Sequence, residues 1–223
     1  MGTRTISRCE YNEATLEQVA SHMARGYPVL LPNPTPLPYM IVAADPDIVN
    51  ATKGRAQDQH VARFIGTFDE ISAYLDMNAQ GLHKARESIF ELCMTVLCPI
   101  LPAERLPPSL LPACRAGEAL FFGAHLPGLK RLCADAGPLY VSSGNMTRLP
   151  PPQLFADVVR QFEEAGRASC GLLAVDGDSL RDPSRRHGST TMVKLSFAGE
   201  CRVVRRGIHD EHIEEASQEG MSR

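Results

Sequence analysis

Apolar residues at Leu16, Val19, Ala20 and Met23 recur at i, i+3, i+4 and i+7, the spacing of one helix face, and predict a helix over residues 13–25. Asn12 is placed to cap that helix and Gly26 to stop it. The apolar run 27–31 then predicts a buried strand, and 40–44 a second. Between them, Pro32-Asn33-Pro34-Thr35-Pro36-Leu37-Pro38 is too rich in proline for a helix or a central strand, because each proline removes a backbone donor. Residues 61–65 read as a strand and 68–75 as a helix. A longer helix is expected over 83–97, with Ile89, Phe90, Cys93, Met94 and Leu97 on its apolar side. The proline-rich stretch 99–112 predicts a wrapping loop or a weak internal boundary.

The second half continues the alternation. Strands are expected at 119–122, 139–142, 171–175, 192–195 and 202–205. Helices are expected at 128–136 and 153–164, the latter with Leu154, Val158 and Phe162 on one face. Helices and strands that alternate throughout a chain argue for an α/β sheet with helical cover. The residues after His212 are polar and acidic and read as a frayed tail.

Composition narrows the class without naming it. With 223 residues, the chain can bury one sizeable core. A net charge of −3 argues against broad electrostatic binding of nucleic acid. Lysine is scarce, so the cationic chemistry leans on arginine, which grips phosphate and carboxylate bidentately. The seven cysteines are odd in number and sit mostly among apolar residues, the usage of reduced thiols in a cytoplasmic protein. Cys93 and Cys98 lack the spacing of a zinc knuckle, and no metal ligands are assigned. No stretch has the length and apolarity of a membrane span, and the first twelve residues hold no signal-peptide core.

Three separated stretches carry chemistry. Lys53-Gly54-Arg55 sets two cations beside a glycine, Ser142-Ser143-Gly144-Asn145 supplies hydroxyls and an amide after a strand, and Gly188-Ser189-Thr190 precedes Val203-Val204-Arg205. Cations, hydroxyls and free backbone N–H groups are what a phosphate chain requires. Each stretch alone reads equally as a solvated turn, a strand start or a surface charge pair. His209 and His212 read as part of a solvated helix start, and His125 as a structural or exposed histidine.

Order adds what the single motifs lack. Pro34-Thr35 with Tyr39, then Lys53-Gly54-Arg55, Ser142 to Asn145, Ser189-Thr190-Thr191, and Val203-Val204-Arg205-Arg206-Gly207 resemble the YrdC-like family, the threonylcarbamoyl-adenylate synthases. The resemblance covers most of 14–208, leaving 1–12 as an extension, 13–208 as a YrdC-like domain and 209–223 as a polar tail. It implies a single-domain, twisted sheet of mixed parallel and antiparallel strands, with helices on its faces and a concave basic surface for ATP. The implied reaction joins bicarbonate, L-threonine and ATP into threonylcarbamoyl-adenylate and pyrophosphate, with Mg²⁺ as the companion of the triphosphate. The product would serve a complex that modifies tRNA. On this resemblance Lys53 and Arg55 are catalytic, while Ser142, Ser143, Asn145, Ser189 and Arg205 hold the nucleotide. Thr35 and Tyr39 line the small-substrate end.

The sequence also departs from the family. Met40 follows the motif tyrosine where glycine is usual, Pro99-Ile100-Leu101-Pro102 is the nearest stretch to the family's Pro-Gly-Pro-x-Thr loop, and His125 stands in place of an arginine. Two alternatives follow. One is a paralogue of specialised metabolism that takes another amine or carbamoyl phosphate; the other is a nucleotide- or RNA-binding module without turnover.

Overall fold

The computed structural model describes residues 6–33, 38–185 and 187–208. Helix α1 (Glu13–Ala24) begins where Asn12 Oδ1 accepts the Thr15 N–H at 2.9 Å, and it buries Leu16, Val19 and Met23 as its periodicity dictates. Strands β2 (Val29–Pro32) and β3 (Tyr39–Ala43) pair antiparallel around the proline-rich segment. Helix α2 (Pro46–Thr52), not foreseen from the sequence, follows with Asp45 as its N-cap and Pro46 pre-set for the first turn. Strand β1 (Ser7–Glu10), also unforeseen, pairs parallel with β9 (Leu173–Asp176).

The expected helix over 83–97 is two elements. Helix α4 (Ala79–Phe90) is capped by Asn78 and ends at Phe90, and β5 (Thr95–Pro99) follows. Cys93 sits between them at φ 53°, a left-handed conformation that ends helical continuation. Beyond it the burial period is two: Val96 and Cys98 enter one core while Leu97 faces the other side. The short α3 (Asp69–Ser72), the last helix α6 (Phe155–Glu164) and α5 (Pro127–Asp135) complete the helical cover. Leu154, expected on the buried face of α6, is instead its N-cap and is exposed.

The remaining strands are β4 (Ala62–Ile65), β6 (Cys114–Arg115), β7 (Glu118–Gly123), β8 (Leu139–Ser143), β10 (Met192–Leu195) and β11 (Cys201–Arg205). They join one sheet in the order β1-β9-β2-β3-β8-β4-β7-β5-β10-β11, with β6 paired to β7. Parallel pairs (β4 with β7, β5 with β10) alternate with antiparallel ones (β3 with β8, β8 with β4), so the sheet is mixed, as the resemblance implied. Both faces carry helices. Helices α1 and α5 pack on one face through Leu16, Val19, Leu129 and Leu132. The other face holds α4 at one end and α2 with α6 at the other. The α1/α5 face is left open over β4, β5, β7, β8 and β10, and the site lies there.

Candidate functional site

The site is built from the end of α2. Gly54 N–H reaches back to Ala51 O and Arg55 N–H to Asn50 O, both at 3.1 Å, the paired bonds of a Schellman termination. That termination needs a left-handed residue, and Gly54 takes φ 64°. A β-carbon there would also meet Arg167 Nη2 at 2.6 Å. The turn sends Lys53 and Arg55 to different surroundings. Fully buried Asn50 fixes the loop beyond, donating to Gln57 O and Gln59 O at 2.8 and 2.9 Å while its Oδ1 accepts from Arg55 Nε.

Lys53 points into protein. It is 3% exposed, and its ammonium donates to the carbonyl oxygens of Ser143 and Asn145 and approaches Ser143 Oγ and Asn145 Oδ1 at 3.2 and 3.3 Å. Burial, then the positive charges of Arg55 and Arg205, hold its pKa well below the ordinary lysine value. Asn145 spends its amide on the same turn, donating to Met146 O and Leu149 O at 3.0 and 2.5 Å. Gly144 lets this turn lie against β3, since a β-carbon would sit 2.7 Å from the Tyr39 carbonyl carbon. Lys53 and Asn145 therefore shape the Ser142–Ser143 strand end.

Arg55 points into a cavity of about 360 Å³. Its floor is the open sheet face: Ala62, Leu97, Leu120, Phe122, Val141 and Met192. Its rim carries Arg55, Arg115 and Arg205 with the hydroxyls of Thr95, Ser142, Ser143, Ser189 and Thr190, besides Gln59 and His60. Thr95 Oγ1 lies 2.6 Å from Thr190 Oγ1, and Arg205 donates to Thr190 O at 3.2 Å, so β5, β10 and β11 lock one wall. Buried Arg55 Nη2 has no hydrogen-bond partner, and among the described residues none of the three arginines forms an ion pair. Arg63, by contrast, is buried against Glu70 and donates to Leu139 O at 2.7 Å. Burial lowers Arg55 to about 10, which leaves it charged at neutral pH. A cavity with an apolar floor, cations without counter-charges and a row of hydroxyls fits a ligand with a flat apolar part and an anionic part.

Of the residues singled out from sequence, Arg55, Ser142, Ser143, Ser189 and Arg205 meet at this cavity. Lys53 and Asn145 stand behind it. Tyr39 is turned to the opposite face, its hydroxyl donating to Asp178 Oδ1 at 2.8 Å and accepting from Gly177 N–H at 3.1 Å. Thr35 lies outside the described residues. His125 sits with Nδ1 3.5 Å from Cys93 Sγ and its ring against Phe122. Thr95, Thr190, His60 and Arg115 were not singled out. Thr190 stood inside a quoted motif, whereas the others had no motif around them.

No family model matches the chain, and no curated protein matches it in sequence. Solved structures match it in fold. P. abyssi Sua5 shares 17% identity at TM-score 0.69, over 94% of this chain and 62% of that one. E. coli YciO shares 14% at TM-score 0.65, over 93% and 97%. Full-length HypF, in a phosphate- and nucleotide-bound form, shares 14% at TM-score 0.62, over 92% and 35%. The chain thus spans about three fifths of the Sua5 structures it matches. The YrdC-like fold expected from the ordered motifs is the fold this chain has.

Proposed function

We propose that the cavity binds ATP and that the protein forms an N-carbamoylaminoacyl-adenylate, with L-threonine and bicarbonate as the default co-substrates. The observation that carries this reading is the unpartnered, buried Arg55 Nη2 in a cavity with three arginines and no carboxylate among its described lining residues. A buried donor left without a partner is costly, and an incoming phosphate oxygen satisfies it. Arg55 and Arg205 take phosphate oxygens, Ser142, Ser143 and Ser189 donate hydrogen bonds, and the apolar floor takes the base. Attack of a carbamate oxygen on the α-phosphorus needs no protein nucleophile, so positioning and fixed positive charge supply the rate. No carboxylate offers magnesium a ligand in this cavity, and among the described residues no cluster of three potential ligands exists elsewhere. Magnesium arriving with the triphosphate would be held by phosphate oxygens, water and the cavity hydroxyls, and no step is assigned to it.

The neighbours support the reading from two sides: one Sua5 structure holds L-threonine, and HypF was solved with phosphate and nucleotide. Delivery of the product to a tRNA-modifying complex, and action in the cytoplasm, belong to the same proposal. Purified protein with ATP, bicarbonate and threonine is expected to release pyrophosphate; no release with any amine sinks the reading. A second reading keeps the nucleotide and changes the amine. It is favoured by Tyr39, whose hydroxyl is committed to Asp178 instead of the cavity. Release that is faster with another amine, or with carbamoyl phosphate, selects it.

A further inference from the structure

The proposed reaction leaves one proton to place. An ammonium, RNH₃⁺, and bicarbonate give a carbamate, RNHCOO⁻, with one water and one proton. The carbamate oxygen then forms a bond to the α-phosphorus, and pyrophosphate departs with the electron pair of the broken P–O bond. A base must therefore stand where amine and bicarbonate meet.

The cavity offers one. Among its described lining residues the polar groups are three guanidiniums, five hydroxyls, the Gln59 amide and the His60 imidazole. Guanidiniums and hydroxyls do not take up protons near neutral pH, and the amide is no base. His60 is left, and its orientation is fixed. Its Nε2 lies 2.6 Å from Ala113 O, and a carbonyl only accepts, so Nε2 carries hydrogen and the neutral ring keeps its lone pair on Nδ1. No partner occupies Nδ1 among the described residues. The carbonyl that sets the ring is itself held: Ala113 is fully buried, its N–H donates to Leu110 O at 3.0 Å, and Tyr140 pins the preceding loop through Ser109 O at 2.8 Å. The proline-rich segment thus acts as the mount for one imidazole.

His60 also lines an adjoining hollow of about 200 Å³ with Asp47, Asn50, Asp58, Cys114 and Arg115. It stands at the junction of the two spaces, half-buried, with a route for a proton to leave. Building on the adenylate-forming reading, we infer that His60 Nδ1 is the proton acceptor as the amine combines with bicarbonate. The imidazolium returns its proton to solvent through the smaller hollow before the next turnover. The charged or titratable groups sharing these spaces are Arg55, Arg115, Arg205, Asp47, Asp58 and Cys114.

The test is His60→Gln, which keeps a donor for Ala113 O and removes the base. Pyrophosphate release is expected to fall by about 10²–10⁴-fold near neutral pH, while ATP affinity stays within about twofold. The pH–rate profile of the variant is expected to differ in shape from that of the wild type. At alkaline pH with concentrated bicarbonate, where amine is free and carbamate forms in solution, the variant recovers towards the wild-type rate. An unchanged profile in an active enzyme, or a loss that follows ATP affinity, overturns the role of His60. Nitrogen chemical shifts of the wild-type ring give a readout independent of turnover: the Nε2–H tautomer is expected, and an Nδ1–H tautomer overturns the geometry. A wild-type protein inert with every amine fails at the earlier step and overturns the adenylate reading, and this inference with it.

Discussion

Lys53 and Arg55 leave the same helix end, one on each side of Gly54, and meet opposite surroundings. Lys53 finds two carbonyls, a hydroxyl and an amide oxygen, and is sealed from solvent. Arg55 finds one amide oxygen for its Nε and nothing for its Nη2. A cation whose donors are all answered by protein holds the fold, whereas one with a buried donor unanswered waits for a ligand. The two positions are alike in a sequence motif and different in physics.

The largest effect should come from Lys53→Met. The substitution keeps the apolar stem but strips the Lys53 ammonium from the Asn145 carbonyl, which costs about 1–3 kcal/mol when left unpaired, while the Ser143 carbonyl keeps the Asn145 N–H at 2.9 Å. Relief from burying a charge offsets part of that, and the lost contact to Asn145 Oδ1 adds to it, so a net loss of about 2 kcal/mol is expected, roughly 4–8 °C in thermal midpoint for a chain of this size. A midpoint within a degree of wild type would break the contrast.

Arg55→Ala should do the reverse. Its loss removes charge-assisted hydrogen bonds to a phosphate, worth about 1.5–3 kcal/mol, so ATP affinity should drop about 10–100-fold. The thermal midpoint without ligand should move far less than in Lys53→Met. Calorimetric titration beside thermal melts reads both. If Arg55→Ala unfolds as readily as Lys53→Met, or binds ATP as well as wild type, the assignment of roles is wrong.

This contrast also marks how far the sequence could be read. The alternation of periods gave an α/β sheet, and most strands fall where their apolar runs lie, because a buried strand announces itself by composition. The helix over 83–97 was misjudged because Cys93, Met94 and Leu97 fit a helical period by chance, while the break at Cys93 depends on a left-handed φ that no glycine advertises. Helix α2 escaped because its seven residues are too few for a period to show. At the site, Arg55, Ser142 and Ser189 were legible only through the order of their motifs along the chain, since each stretch alone has a plain structural reading as a turn or strand start. His60 and Thr95 were not, since each depends on a neighbour remote in sequence: the Ala113 carbonyl for one, the Thr190 hydroxyl for the other.

The smallest effect sharpens the contrast most, because it couples the two cations. The positive charges of Arg55 and Arg205 lower the Lys53 pKa, behind the larger influence of burial. A phosphate bound to those arginines cancels part of that push and raises Lys53 towards its ordinary value. Between the free and bound values the complex holds more protons than the free protein, so ATP binding takes up protons and affinity falls as pH rises through that window. Stability without ligand runs the other way. The unfolded chain, with an ordinary lysine, binds more protons than the folded one above the folded value, so stability rises with pH there and levels off above the ordinary lysine value. Titrating ATP in two buffers of different ionisation enthalpy measures the uptake directly. The uptake should shrink in Arg55→Ala, which removes one of the charges that transmits binding to Lys53. Equal uptake in both proteins would show that Lys53 does not sense the cavity and serves the fold alone.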